Sequence, residues 1–326
     1  MKTLITGATG FIGSHLLRHV VAEGASVAVL VRPRSDTSMI ADLLPHIELR
    51  YGDVTDKESV CRAMKGVSQV YHSAGRVSIS SRGVASLHRI NVEGTKHVLQ
   101  AATEYGVGRV VYTSSVSAIG ITGTDVPADE TQAWNLGRFN VPYYHTKHLA
   151  EEAVREAVGR GLDAVIVNPS YVFGAGDVHF NAGGLVRDLH HRRIPAYPTG
   201  GICVADIDDV AKAHIAAMRL GKCGERYILG GANLSYKQVF DTICGVIAAP
   251  KVWLPISRIM QRMLASLAKV QRFGITALAN PEILTTTRER FYFDSSKAVA
   301  ELGLTHTPFA ETIRRTFEWY QHRKLL

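Results

Sequence analysis

Apolar and polar positions repeat in a cycle along the first half of the chain. A short apolar run is followed by a turn, then by a stretch with apolar residues three and four apart. The first run, Lys2-Thr3-Leu4-Ile5-Thr6, passes through Gly7-Ala8-Thr9-Gly10-Phe11-Ile12-Gly13 into a stretch with Phe11, Ile12, Leu16, Leu17, Val20 and Val21 on one side. That order predicts strand, turn, helix. Runs at 26–31, 47–51, 69–72, 109–113 and 163–168 predict further strands, and 227–229 a short one. Asn91 opens a helical pattern that continues to about Tyr105. Strands alternating with helices predict an α/β fold with a doubly wound parallel sheet, whose ligands lie at the C-terminal ends of the strands.

Beyond Pro169 the pattern changes. Residues 171–200 are rich in Gly, Pro, Tyr and His, 204–218 return to strand-then-helix character, and 239–247, 255–272 and 310–322 read as helices. This predicts a large domain over 1–170, with 201–230 returning to it. A smaller substrate-binding domain is expected over 171–200 and 231–326, with a cleft between the two.

The three glycines of the first turn, spaced three apart, give it a chemical meaning. Such a turn lets backbone N–H groups meet a pyrophosphate at a helix N-terminus, where the helix dipole favours negative charge. Gly7 would make the tight turn, Gly10 the close phosphate approach and Gly13 the helix–strand packing. The second strand ends in Val31-Arg32-Pro33-Arg34. A site selective for NAD(H) places a carboxylate there to hold the ribose 2′-hydroxyl, whereas a guanidinium suits a 2′-phosphate. Arg32 therefore predicts NADP(H), with NAD(H) a possible cofactor if both arginines are surface residues. Asp53 is placed to accept from the adenine amino group, although Asp53 or Asp56 is also expected to cap the next helix. Ser73-Ala74-Gly75 are small enough for a cofactor to lie against the chain.

Tyr143 and Lys147 are four apart and share one face of a helix. A phenol has a pKa near ~10, and a neighbouring ammonium brings it into range as an acid or base. Ser115, leaving a strand end, is placed to hydrogen-bond the substrate oxygen. Tyr144, three from Lys147, is the competing tyrosine. The loop at Arg76, Val77 and Ser78, with Tyr144, Tyr171 and Phe180, is expected to line the substrate cleft.

Composition narrows the surroundings. The chain has 326 residues, 46% hydrophobic and 20% charged, with no apolar run near the ~20 residues of a membrane span. One lysine and then a strand pattern at the start are unlike a secretory leader. Cys61, Cys203, Cys223 and Cys244 are far apart and form no CxxC, which predicts reduced thiols, no structural metal and a cytoplasmic location. The net charge of +8 is dispersed without a basic run. Attraction of anionic ligands is expected, not nucleic-acid binding.

In this order the motifs resemble those of the extended short-chain dehydrogenase/reductases, the NAD-dependent epimerase/dehydratase group. The matching stretches are the glycine turn, Gly52-Asp53-Val54, Asn91-Val92-Glu93-Gly94-Thr95, Thr113-Ser114-Ser115, Tyr143 through Glu151, Asn168-Pro169-Ser170-Tyr171-Val172-Phe173-Gly174, and Ala205-Asp206-Ile207-Asp208-Asp209-Val210-Ala211. The resemblance implies a Rossmann fold and a nicotinamide cofactor. That cofactor would be held by Gly7, Thr9, Gly10, Phe11, Ile12, Gly13, Arg32, Asp53, Val54, Ala74, Gly75, Asn91, Thr113, Ser114, Tyr143, Lys147, Pro169 and Val172. It also implies a catalytic Ser115, Tyr143 and Lys147, and a homodimer through helices at about 83–106 and 141–160. Val31-Arg32-Pro33 and Gly224-Glu225-Arg226-Tyr227-Ile228-Leu229-Gly230-Gly231 look like the dihydroflavonol reductase-like branch, which also contains proteins labelled hopanoid-associated sugar epimerases.

The leading expectation is an NADP(H)-dependent carbonyl reductase or alcohol dehydrogenase acting on a mid-sized, partly apolar ketone or aldehyde. The main alternative is a nucleotide-sugar epimerase with tightly bound NAD(P), in which Arg187, Arg192 and Arg193 would meet a diphosphate. A sugar dehydratase is disfavoured, because Val116-Ser117 stand where those enzymes carry an acid pair. A non-catalytic NADP-sensing protein is the remaining class. Ile256, Ile259, Met260, Met263, Leu264, Leu267 and Val270 make an apolar helical stripe beside Arg258, Arg262, Lys269 and Arg272. A packed helix is expected there, ahead of a lid or a membrane contact.

Overall fold

The computed structural model describes residues 1–78, 83–257 and 285–326. The stripe at 259–270 therefore lies outside the described residues, apart from Ile256 at its start.

Strand β1 (Lys2–Thr6) is an inner strand of a seven-stranded sheet. Beside it run β2 (Ser26–Val31) and β3 (Ile47–Tyr51) on one side. On the other come β4 (Gln69–His72), β5 (Arg109–Thr113), β6 (Ala164–Pro169) and, at the far edge, β10 (Arg226–Leu229). The order is β10-β6-β5-β4-β1-β2-β3, and every pairing is parallel. Connections leave β1 in both directions, so the order reverses beside it and opens a crevice at the strand C-termini. This is the doubly wound Rossmann-type sheet.

Alternation along the strands sorts their side chains onto two faces. Leu4, Val110 and Ile166 turn to one face and meet α2 (Lys57–Met64), α4 (Gly94–Glu104) and α5 (Pro142–Gly159). Ile5, Val111 and Val165 turn to the other and meet α1 (Phe11–Ala22) and α7 (Ile207–Leu220). Strands covered on both faces need apolar residues at successive positions, and Val27 to Val31 are buried without a break. The helix before β5 starts earlier than Asn91. It begins as α3 (Val84–His88), widens into a π turn over Arg89–Glu93 and continues as α4.

A second, four-stranded sheet is built on β9 (Gly201–Asp206). Its neighbours are β7 (Tyr171–Phe173), β11 (Ala232–Ser235) and β13 (Arg290–Phe291). Of the stretch 201–230, then, only α7 and β10 lie on the large sheet. The strand before them joins the small one, because its register pairs Tyr171 with Val204 and Ser235 with Gly201. A short parallel pair, β8 (Ala196–Pro198) with β12 (Leu254–Ile256), completes the strands among the described residues. Helices α6 (Gly184–His190), α8 (Tyr236–Val246) and the C-terminal α10 (Phe309–His322) bury Val186, Leu189, Val239, Phe240, Ile243 and Ile313 against this sheet. Helix α9 (Ser296–Leu302) packs instead on α7 and β10.

Helix α7 opens on three aspartates, Asp206, Asp208 and Asp209. Asp208 and Asp209 lie in its first turn, but Asp206 is the cap, accepting from the Asp208 N–H at 2.8 Å. Asp208 is used by His15 and His19, and Asp209 by Thr305 and Thr307.

Candidate active site

The glycine turn sits at the C-terminal end of β1. Gly7 has φ +74°, and a Cβ there would lie 2.6 Å from the Ala74 nitrogen. A Cβ on Gly13 would lie 2.1 Å from the Gly7 carbonyl oxygen. Only glycine lets the helix come this close to the strand. Gly10 caps α1 without a side-chain hydrogen bond, and the first turn of α1 holds no acid. Its N–H groups and positive dipole end therefore stay available to an anion, which is what a dinucleotide pyrophosphate requires. Thr9, Gly10, Phe11 and Ile12 are half-buried at this end.

Around the turn, Arg32 and Arg34 are exposed beyond β2. Asp53 spends one carboxylate oxygen on Thr55, at 2.8 Å to its N–H and 2.9 Å to its hydroxyl. Asp56, not Asp53, caps α2. Val54 is buried under Gly94. Ala74 donates its N–H to Thr6. Gly75 leaves open space in which a Cβ would meet only Asn91 Oδ1 at 3.5 Å and Lys147 Nζ at 3.6 Å. Asn91 is buried, and its side chain accepts from the Arg76 N–H at 2.8 Å and donates to the Arg76 carbonyl at 3.0 Å. Pro169 and Val172 follow from the end of β6 into β7.

Helix α5 starts at Pro142, a favourable first position for a ring with fixed φ. Its first turns carry Tyr143 and Lys147 toward the ends of β5 and β6. Lys147 is 6% exposed and donates to the Thr113 carbonyl at 2.8 Å. Burial pulls its pKa down to about 8, opposed by the carboxylate of Glu151. Burial also raises the pKa of Tyr143, opposed by a hydrogen bond with the Ser115 side chain. Thus Ser115 and Tyr143 meet through a hydrogen bond, and Lys147 reaches from the same face of α5 to the end of β5, beside Gly75.

Tyr144 goes elsewhere. It is 8% exposed in an apolar cluster with Val116, Phe139 and Phe291, and its hydroxyl pairs with Tyr171 and Thr286. Tyr171 thereby comes close to Tyr143. Val77 is 52% exposed, and Ser78 is the last described residue before 83. Phe180 stacks on Tyr320 at 5.1 Å under the Arg187 guanidinium, in the core of the small sheet. It is part of a different cluster from Tyr143 and Tyr144.

Behind the site lies a buried polar web. Glu151, 1% exposed, accepts from Ser114 Oγ at 2.5 Å, Asn168 Nδ2 at 2.7 Å and Arg226 Nη1 at 3.1 Å. The same Asn168 nitrogen donates to the Ser115 carbonyl at 3.0 Å. His72 bridges Thr6 at 2.7 Å and Thr95 at 3.0 Å. Because Thr95 donates onward to the Asn91 carbonyl, His72 donates from Nε2 and accepts at Nδ1. His214 donates to the Val210 carbonyl at 2.7 Å and accepts from Thr113 at 2.9 Å. Burial lowers the pKa of His72 to about 3 and of His214 to about 4, so both are neutral imidazoles. Glu151, Ser114, Thr95, Thr113 and Asn168 fall in the motif stretches of the sequence, whereas His72 and His214 carried no such signal.

The sequence profile of the NAD dependent epimerase/dehydratase family matches residues 3–230. Sterol demethylase protein B of Methylococcus capsulatus is 32% identical over 100% of both chains. Cinnamoyl-CoA reductase 1 of Oryza sativa subsp. japonica is 32% identical over 71% of each. Among solved structures, PA4631, described as a nucleoside-diphosphate-sugar epimerase from Pseudomonas aeruginosa, superposes with a TM-score of 0.83 at 26% identity, covering 99% of this chain and 98% of its own.

Proposed function

The chain belongs to the NAD dependent epimerase/dehydratase family of enzymes, and from this we propose that it is an NADP(H)-dependent carbonyl reductase or alcohol dehydrogenase. The observation that carries the reading is the buried Lys147 on the Thr113 carbonyl, beside a half-buried Tyr143 hydrogen-bonded to Ser115. The uncapped α1 and the side-chain-free turn of Gly7, Gly10 and Gly13 fit a dinucleotide pyrophosphate, and Arg32 fits a 2′-phosphate. When bound, the nicotinamide supplies the hydride.

Each side chain then has one task in reduction. Tyr143 gives its phenolic proton to the substrate oxygen as negative charge develops there. Ser115 donates a hydrogen bond to that same oxygen and fixes its direction. Lys147, with a pKa of about 8, is mostly charged at neutral pH and stabilises the Tyr143 phenolate left behind. The half-buried Tyr143 and Tyr171, which pack against the apolar cluster of Tyr144, Phe139 and Phe291, suit a partly apolar ketone or aldehyde. A homodimer through the helices at 83–106 and 141–160 belongs to the same reading. The exposed Val84 and Leu149 support it.

The epimerase reading has support in the name of the Pseudomonas protein. Against it, Arg187 and Arg193 share Asp188, which leaves less charge for a diphosphate. Two measurements test the proposal. Exchangeable NADPH released from the purified protein supports a reductase, and tightly held NAD⁺ supports an epimerase. Tyr143→Phe should abolish turnover with NADPH binding near wild type, whereas loss only in Tyr144→Phe would transfer the acid to Tyr144.

A further inference from the structure

Ser115 and Tyr143 are on different elements, the loop after β5 and the start of α5. Their relative position is held from behind by Asn168 and Glu151. On the outer side, a strap running just before Leu136–Phe139 joins the same two elements. Gly120 and Ala133 pass so closely that a Cβ on Gly120 would lie 2.3 Å from the Ala133 carbonyl oxygen. Asn135 grips Ile121 twice, accepting its N–H at 3.1 Å and donating to its carbonyl at 2.7 Å. Trp134 donates its indole N–H to the Ser117 carbonyl at 3.0 Å.

The other side of Trp134 rests on α5. Its ring stacks on His148 at 4.1 Å with 4° between the planes, and meets His145 edge-on at 5.2 Å. His145 and His148 are three apart, so they form one stripe of α5, turned away from the stripe of Tyr143 and Lys147. Burial lowers the pKa of His148, which favours a neutral imidazole in this stack. Ser117 in turn holds the Ser115 hydroxyl. Its N–H donates to Ser115 Oγ at 3.1 Å, and its own Oγ accepts from Ser115 at 3.1 Å. Side chains of one helix thus reach Ser115 through Trp134 and Ser117.

We infer that Trp134 is a positioning residue that keeps the Ser115 hydroxyl aligned with Tyr143 by way of Ser117. The inference rests on the reading of Ser115, Tyr143 and Lys147 given above. Trp134 meets Ser117, His145 and His148, and is not among the groups assigned above to substrate or cofactor. Its effect falls on the step in which Ser115 directs the substrate oxygen, so it belongs to kcat and not to cofactor affinity.

The test is a double-mutant cycle in the full-length protein, with NADPH and a panel of aliphatic and aromatic ketones. Trp134→Phe keeps an aromatic ring against His148 and removes the indole N–H. It should lower kcat roughly tenfold, with the NADPH Kd and the KM within about twofold. In a Ser115→Ala background the same change should cost nothing more, because the group it positions is gone. Trp134→Tyr, which likewise offers an aromatic ring to His148 and lacks the indole N–H, carries the same cycle if Trp134→Phe does not fold. Full additivity with Ser115→Ala, or an unchanged kcat in the single variant, overturns the inference. Tyr143→Phe is measured alongside. Turnover surviving there overturns the reading of the site itself, and is distinguished from a failure of the Trp134 coupling alone.

Discussion

The ammonium of Lys147 is 2.8 Å from the carbonyl oxygen of Thr113, while the Thr113 hydroxyl is 2.9 Å from His214 Nε2. One residue at the end of β5 therefore ties the face carrying α5 to the face carrying α7. Lys147 is held in the position the proposed chemistry needs, at the cost of burying a charge.

That cost has a pH signature. The folded pKa of Lys147 is about 8, below its ordinary 10.5. Between these values the unfolded chain binds more protons, so this group's contribution to stability rises with pH from 8 to 10.5. Turnover runs the other way, falling above about pH 8 as the ammonium is lost. Lys147→Met should be inactive, yet at pH 7 melt no lower than wild type. Urea titrations at pH 7 and pH 10 check this, and a strongly destabilised variant would show that the Thr113 bond outweighs the buried charge.

Glu151→Gln separates the web behind the site from the site. Arg226 would lose its buried carboxylate partner, a change expected to cost about 3 kcal/mol. The negative charge that holds the Lys147 pKa up would also go. The alkaline limb of the pH–rate profile should then move to lower pH. A limb left in place, with stability lost, would mean that Glu151 serves packing only.

Cofactor choice rests on Arg32. Arg32→Asp replaces a donor for a 2′-phosphate by an acceptor for a 2′-hydroxyl. NADPH affinity should fall at least tenfold, with NADH changed far less. Fluorescence titration of both cofactors decides it, and an unchanged ratio would remove the basis for NADP(H).

Acid should destabilise the protein through His72 and His214. Both have folded pKa values, about 3 and about 4, below the ordinary 6.5. Stability from His214 is therefore complete above pH 6.5 and lost as pH falls toward 4, by an amount on the order of 3 kcal/mol. His214→Gln should be less stable at pH 7 and show a shallower decline between pH 6.5 and 4.5 in denaturant titrations.

Much was legible along the chain because it is written over short distances. The spacing of Gly7, Gly10 and Gly13 implies close approach of helix and strand. The Tyr143–Lys147 interval is one helical turn, and the strand runs stand out because a strand buried on two faces is apolar at most successive positions. What the sequence could not reveal depends on partners brought together by strand order. Glu151 meets Arg226 from 75 residues away, and Thr113 meets His214 across 101. No local pattern marks a histidine as a neutral bridge or a tryptophan as a strap. Gly201–Asp206 reads as one more strand, and only its register with Tyr171 and Ser235 assigns it to the small sheet. Asp206, Asp208 and Asp209 are equally good caps by composition. Packing against Arg315, His15 and Thr305 gave each a different task. By itself the sequence determined the elements and the turn that suits a dinucleotide. The tertiary structure decided which hydroxyl, ammonium and carboxylate stand together, because hydrogen bonding between distant segments exists only once the sheet has set their spacing.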